Sequence, residues 1–208
     1  MQNCTQILID IFAVLIFLLM LVCIVFLAKK GLLQDQSTAE KKPYSFSRVQ
    51  LAWWTVIIIG SFLYIFSIDP CKYVNQEINQ YTVEAKNILM KDLLSNTALI
   101  LLGISAGTLG VGRIIDIGQE NKDSERHQNQ NSDGFLTDIL SDENGISIHR
   151  FQSVIFNIIF GLIFIFLVLN SKKMPDFSEI QLTLMGISSG TYIGLKATEN
   201  TTKPEVKG

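Results

Sequence analysis

The stretch LLGISAGTLGVGRIID at 101–116 returns as LMGISSGTYIGLKATE at 184–199, an ungapped match at an offset of 83. Leu101/Leu184, Gly103/Gly186, Ile104/Ile187, Ser105/Ser188, Gly107/Gly190 and Thr108/Thr191 are identical pairs, while Arg113 falls on Lys196 and Asp116 on Glu199. Upstream, SFSRVQ at 45–50 aligns with SIHRFQ at 147–152, again just before an apolar run. Internal self-similarity fixes architecture before any motif does, because each copy must be one supersecondary unit. The spacing between the two matched parts differs by 19 residues between copies, so the unit reads as a helical hairpin with a variable outer loop. Two spans per unit make both copies enter from the same side. They are parallel repeats, unlike the inverted repeats of many transporters.

The apolar residues decide that these hairpins belong in a membrane. The 208 residues are 48% hydrophobic with a mean hydropathy of +0.33. Five runs free of Asp, Glu, Lys and Arg stand out: Ile11–Ala28, Val49–Ile68, Leu93–Gly112, Phe151–Ser171 and Ile180–Leu195. A helix crossing the hydrocarbon layer needs about 20 such residues, and charge collects between the runs. The expected fold is all-α, an integral membrane bundle of five transmembrane helices: an N-terminal anchor plus two parallel two-helix repeats. The first run follows no basic segment and no small-residue cleavage site, so it reads as a retained anchor with Asp10 at its mouth. The organisation is an anchor (1–30), a linker (31–48), the first hairpin with an outer amphipathic helix (49–117), an inner loop (118–146), the second hairpin (147–199) and a tail (200–208).

Twelve of the seventeen Lys and Arg residues fall on the face holding the 31–48 linker, the inner loop and the tail. The positive-inside bias therefore places the N-terminus outside and the C-terminus in the cytoplasm, as in a multi-pass protein of a bacterial inner membrane. Cys4 and Cys71 then share the outer side and Cys23 lies in the membrane. The first two either pair or stay free.

At 100° per residue, Gly103, Ala106, Gly107 and Gly110 gather on one face of their helix, with Ser105, Thr108 and Gly112 opposite. In the second copy Gly186, Ser189 and Gly190 take the small-residue face, with Ser188 and Thr191 behind. Small faces let helix backbones approach in lipid, so the first set is expected to be a packing seam. The hydroxyls Ser105, Thr108, Ser188 and Thr191 either line a hydrated path or bond backbone carbonyls four residues back. Arg48, Arg150, Arg113 and Lys196 read as cations snorkelling to the membrane boundary. Arg113/Asp116 and Lys196/Glu199 are each three apart, within reach of a pair along one helix. Gln50 and Gln152 read as interhelical amide contacts at the same boundary.

Outside the spans, Val74, Ile78, Tyr81, Ala85 and Ile88 recur at helical steps, as in an amphipathic helix on the outer side. Gln119–Asp133 is polar and reads as mobile, followed by a short helix over Phe135–Leu140. The string DENG at 142–145 lacks the spacing and distal Glu of a calcium loop and reads as a polar turn. Three cysteines without metal spacing, a net charge of −2 and no basic stripe point away from metal, cofactor and nucleic acid. His149 has no catalytic companion in the sequence.

The set S-x-x-R-x-Q before Trp53–Trp54, GISAGT at 103–108, GFLTDILSDENGISIHRFQ at 134–152, the Met174–Pro175 turn and LMGISSGTYIG at 184–194 resembles an uncharacterised family of bacterial membrane proteins. The resemblance covers about Tyr44–Glu199 and implies a membrane fold without an assigned activity. Two functional readings follow from the residues. One is a non-enzymatic homo-oligomer in the lipid bilayer, acting as a platform or sensor with a protein partner on the cytoplasmic side. The other is an ion channel lined by the Ser/Thr faces.

Overall fold

The computed structural model describes residues 2–68, 93–120 and 127–199. The side chains of Cys4 and Asp10, Cys71, the amphipathic stretch 74–88, loop residues 121–126 and the tail 200–208 lie outside the described residues. Six α-helices occur among those that are described: α1 (Gln2–Lys29), α2 (Phe46–Ile68), α3 (Asn96–Glu120), α4 (Phe135–Leu140), α5 (Ile148–Ser171) and α6 (Glu179–Thr198). A 3-10 turn at His127–Asn129 precedes α4, and a two-residue hairpin, β1 (Ser141–Asp142) with β2 (Gly145–Ile146), links α4 to α5.

The described residues are all-helical in their regular structure apart from that hairpin, and among them three helices are long and apolar enough to cross a membrane: α2, α3 over Asn96–Gln119, and α5. In α1 the apolar stretch Val14–Lys29 is shorter. Helix α6 has the length, about 30 Å at 1.5 Å per residue, but its Gly, Ser and Thr residues dilute its apolar character. The outer surface of the bundle is apolar, with Leu19, Leu99, Ile114, Leu162 and Phe166 exposed. Contiguous exposure of this kind belongs against lipid.

Helix ends are fixed locally. Ser178 caps α6 in a reciprocal box, accepting from the Gln181 amide at 3.4 Å while the Gln181 side chain accepts from the Ser178 amide at 2.8 Å. Lys172, in the left-handed region at φ 54°, ends α5. The Met174–Phe177 turn is then tied to the start of α3: Ser95 Oγ donates to the Pro175 carbonyl at 2.9 Å, and the Phe177 amide donates to Thr97 Oγ1 at 2.8 Å. At the far end Gln119 Nε2 donates to the Glu199 carbonyl at 2.8 Å. Contacts at both ends make α3 and α6 parallel neighbours, with α2 and α5 packed against them in the opposite sense.

The core lies between these four helices, around Trp54, Ile57, Ile65, Leu101, Phe164 and Met185. Two glycines carry the closest helix approaches. A Cβ at Gly161 would lie 2.7 Å from Trp53 Nε1 and 2.8 Å from Ile57 Cδ1, which sets α5 directly against α2. A Cβ at Gly60 would lie 2.6 Å from the Phe17 ring, which seats α1 on α2.

The polar segments fold into a cap over one end of the bundle. The Asp35 amide donates to the Pro43 carbonyl at 2.8 Å, the Tyr44 amide to Asp138 Oδ2 at 3.0 Å, and the Ser132 amide to the Lys41 carbonyl at 2.8 Å. Gln128 is buried. The described residues 127–133 are thus in contact with the linker. Two of their side-chain amides, which composition alone marks as solvated, find backbone partners in the 31–48 linker: Asn129 Oδ1 accepts from the Thr38 amide at 3.3 Å and Asn131 Oδ1 from the Lys41 amide at 3.1 Å.

Candidate functional site

A continuous set of polar side chains runs inside the bundle from its middle to the capped end. It begins at Asn157 on α5. Trp54 Nε1 donates to Asn157 Oδ1 at 2.7 Å, Trp53 Nε1 donates to the Asn157 carbonyl at 3.0 Å, and Asn157 Nδ2 donates to the Ser153 carbonyl at 2.8 Å. One turn on, the Ser153 and Ser188 hydroxyls are 2.8 Å apart, joining α5 to α6. Beside them Gln50 Nε2 on α2 donates to Ser189 Oγ at 3.1 Å. Gln50 is only 2% exposed, and its Oε1 has no hydrogen-bond partner among the described residues.

The charges come next. Lys196, 2% exposed, places Nζ 3.0 Å from Asp116 Oδ2 on α3 and 3.7 Å from Asp35 Oδ2 in the linker. Arg150 at the start of α5 pairs with Glu199 just beyond α6, and its guanidinium lies 5.4 Å from the centre of the Tyr192 ring. Glu199 also accepts from Gln128 Nε2 at 3.1 Å. Burial pushes the Glu199 carboxyl above the usual carboxylate range, against the opposing pull of Arg150 and Lys196. A recess of about 50 Å³ opens beside the two pairs, lined by Asp35, Tyr44, Gln128, Arg150, Tyr192 and Lys196 among others. It has room for a few waters. A separate apolar groove of about 390 Å³ lies between α1, α2 and α5, lined by Val14, Phe17, Trp53, Gly60 and Val168 among others.

The residues expected to matter are distributed differently from a simple repeat. On α3, Gly103, Ala106, Gly107 and Gly110 face outward, and a Cβ at any of the three glycines would meet nothing within 4 Å. Ser105 and Thr108 face inward and donate to the carbonyls of Leu101 at 2.9 Å and Ile104 at 2.7 Å. On α6, Gly186 and Gly190 also look onto open space. Ser188 and Ser189 are both buried and held by Ser153 and Gln50, whereas Thr191 is exposed and bonds the Ile187 carbonyl at 2.9 Å.

Among the boundary cations, Arg48 is half-buried and donates to the Leu32 carbonyl at 3.2 Å, and Gln152 is exposed. Arg113 is half-buried with Nη1 unpartnered among the described residues. Arg150 and Lys196 do not snorkel. Both are buried, and the pairs they form run between helices, replacing the i,i+3 pairs that spacing suggests. The turn of α6 about its own axis aims Lys196 at α3 instead of along its own helix.

Sequence reasoning passed over Asp35, Gln119, Gln128, Asn157, Tyr192, Gly60 and Gly161. Asn157 is the one amide inside an otherwise apolar stretch of α5, and Gly60 and Gly161 are lone glycines within spans. Each carried a signal, since a polar or missing side chain in an apolar helix usually marks a contact. Asp35 and Gln128 carried none, because their partners depend on how the cap folds.

No family model, no curated protein and no solved structure matches this chain.

Proposed function

We propose that this protein is a non-enzymatic, homo-oligomeric integral membrane protein that serves as a platform or sensor subunit. In this reading α1 and α6 cross the bilayer alongside α2, α3 and α5, giving five spans with the N-terminus outside and the capped end in the cytoplasm. The two hairpins act as copies of one unit in the inner membrane of a bacterium.

One observation carries the oligomer. The interior polar groups are almost all satisfied within the chain, whereas the glycine faces of α3 and α6 are left open by the described residues, none of which comes within 4 Å of a Cβ at Gly103, Gly107, Gly110, Gly186 or Gly190. Backbone exposed to lipid in this way gains dispersion contact when a second helix packs on it. The cap, built from the 31–48 linker and the 127–147 segment, is the surface on which a cytoplasmic partner would act.

The conducting alternative draws less support. The Ser105 and Thr108 hydroxyls are buried and bonded to their own backbone, which removes them from a water path around an oligomer axis.

The test is the mass of the detergent-solubilised particle by light scattering. Gly107→Leu combined with Gly190→Leu is expected to reduce it to that of one chain without lowering thermal stability. An unchanged oligomer would overturn the seam, and a parent protein that is already one chain would overturn the oligomer itself.

A further inference from the structure

We infer that α4 and the β1–β2 hairpin form a foot lying in the membrane interface beside the entrance of α5, with its apolar side chains covered by lipid. Leu136 in α4 is 66% exposed, Ile146 in β2 is 74% exposed and Ile148 at the start of α5 is 69% exposed. These are large apolar groups that no other described residue covers.

The foot is rigidly attached. Ile139 is buried in the cluster of Phe46 and Tyr192, and Phe135 meets the Tyr44 ring edge-on with centroids 5.2 Å apart. The hairpin register pairs Ser141 with Ile146, and the Ser147 amide donates to the Leu140 carbonyl at 2.8 Å, so the end of α4 is held level with the start of α5. Its exposed apolar residues therefore have a fixed height relative to α5.

That height is the argument for lipid. Ile148 is the first residue of a helix long and apolar enough to span. At about 3.3 Å per extended residue, Ile146 lies within about 7 Å of it. The interfacial layer on each side of the hydrocarbon core is about 5–8 Å thick. Helix α4 is only about 9 Å long, so Leu136 stays close to the same layer. Along α5 itself Ile148, Phe151, Ile158, Leu162 and Phe166 are exposed as well. The tip of the hairpin is polar: Asp142, Glu143 and Asn144 lie in the turn, with the Asn144 amide donating to Asp142 Oδ1 at 2.8 Å. Exposed apolar groups together with a hydrated turn are the pattern of an element at the headgroup boundary.

The inference rests on α5 crossing the bilayer, so the experiment measures both. With Cys4, Cys23 and Cys71 changed to Ala, single Cys substitutions at Leu136, Ile146, Asn144 and Phe166 are spin-labelled in vesicles of phosphatidylethanolamine and phosphatidylglycerol. Accessibility to oxygen and to a water-soluble nickel chelate is read for each. Labels at Leu136 and Ile146 are expected to favour oxygen by several-fold over the Asn144 label, approaching the Phe166 label. Nickel accessibility equal to that at Asn144 would overturn the foot. Low accessibility to both reagents would also overturn it, by indicating cover from a protein partner or a second copy. Nickel accessibility at Phe166 would overturn the spanning role of α5 and is distinguishable from either.

Discussion

The Lys196 ammonium lies 3.0 Å from the Asp116 carboxylate, 80 residues earlier in the chain, and both groups are buried. The pair ties the capped ends of two parallel helices, and Asp35 at 3.7 Å adds the linker to the same cation. Removing one partner of a buried pair strands the other. Asp116→Leu is therefore expected to destabilise the protein by about 3 kcal/mol, read as a lowered unfolding temperature in detergent. Adding Lys196→Met should recover most of that loss. Equal loss in the single and double variants would show that the pair is not the reason.

Asn157 holds two indoles at once. Asn157→Leu fills similar volume but leaves the Trp54 N–H buried without an acceptor, at a cost of about 1–3 kcal/mol. Tryptophan emission should change with it, since Trp53 and Trp54 are the two tryptophans of the chain. Trp54→Phe in the Asn157→Leu background should cost less than in the parent. Strict additivity would contradict the bond between them.

The glycines divide into two classes that one measurement separates. Gly161→Ala drives a Cβ to within 2.8 Å of Trp53 and Ile57 and is expected to destabilise by about 1–3 kcal/mol. Gly103→Ala, made like Gly161→Ala in the one-chain background of Gly107→Leu with Gly190→Leu, meets no described residue within 4 Å and gains helix propensity worth up to about 1 kcal/mol. Chemical unfolding in detergent should therefore move the midpoints of the two variants in opposite directions. Equal shifts would contradict the close approach of α5 and α2.

The helices were legible because their signal is a local run of apolar residues. Of the five runs that stand out in the sequence, three form helices long and apolar enough to cross a membrane among the described residues. The polar interior was legible only in part. On α3 the buried stripe is Leu101, Ser105, Thr108 and Asp116; on α6 it is Met185, Ser188, Ser189, Tyr192 and Lys196. Residues matched at the offset of 83 thus differ in placement: Thr108 points in and Thr191 out, while Ala106 points out and Ser189 in. The two helices are turned relative to each other by roughly 70° at 3.6 residues per turn. That rotation is decided by packing, through Tyr192 against Phe46 at 4.7 Å and Met185 in the core, and no spacing within α6 encodes it. The cap was illegible for a similar reason, since Asp138 and Asn131 act on backbone amides some 90 residues away.

Glu199 joins the cap to the bundle, and its loss should be felt in the cap first. Its carboxylate holds Arg150 through one oxygen and Gln128 through the other, while its backbone carbonyl accepts from Gln119. Glu199→Gln keeps the shape but removes the paired charge of a buried guanidinium, leaving Arg150 to the Tyr192 ring and the more weakly acting Asp142 carboxylate. A partly stranded cation draws in water, and the nearest route is through Gln128 and the recess beside it. Amide exchange over 127–147 is therefore expected to accelerate by about tenfold, equivalent to about 1.4 kcal/mol of local opening. Exchange at the centres of α2 and α5 should stay at parent values, because Trp54, Asn157 and Ser153 are bonded without Glu199. Acceleration spread evenly through the bundle would mean that the pair supports the whole fold, and no acceleration would mean that the cap is held by its backbone bonds to the linker alone.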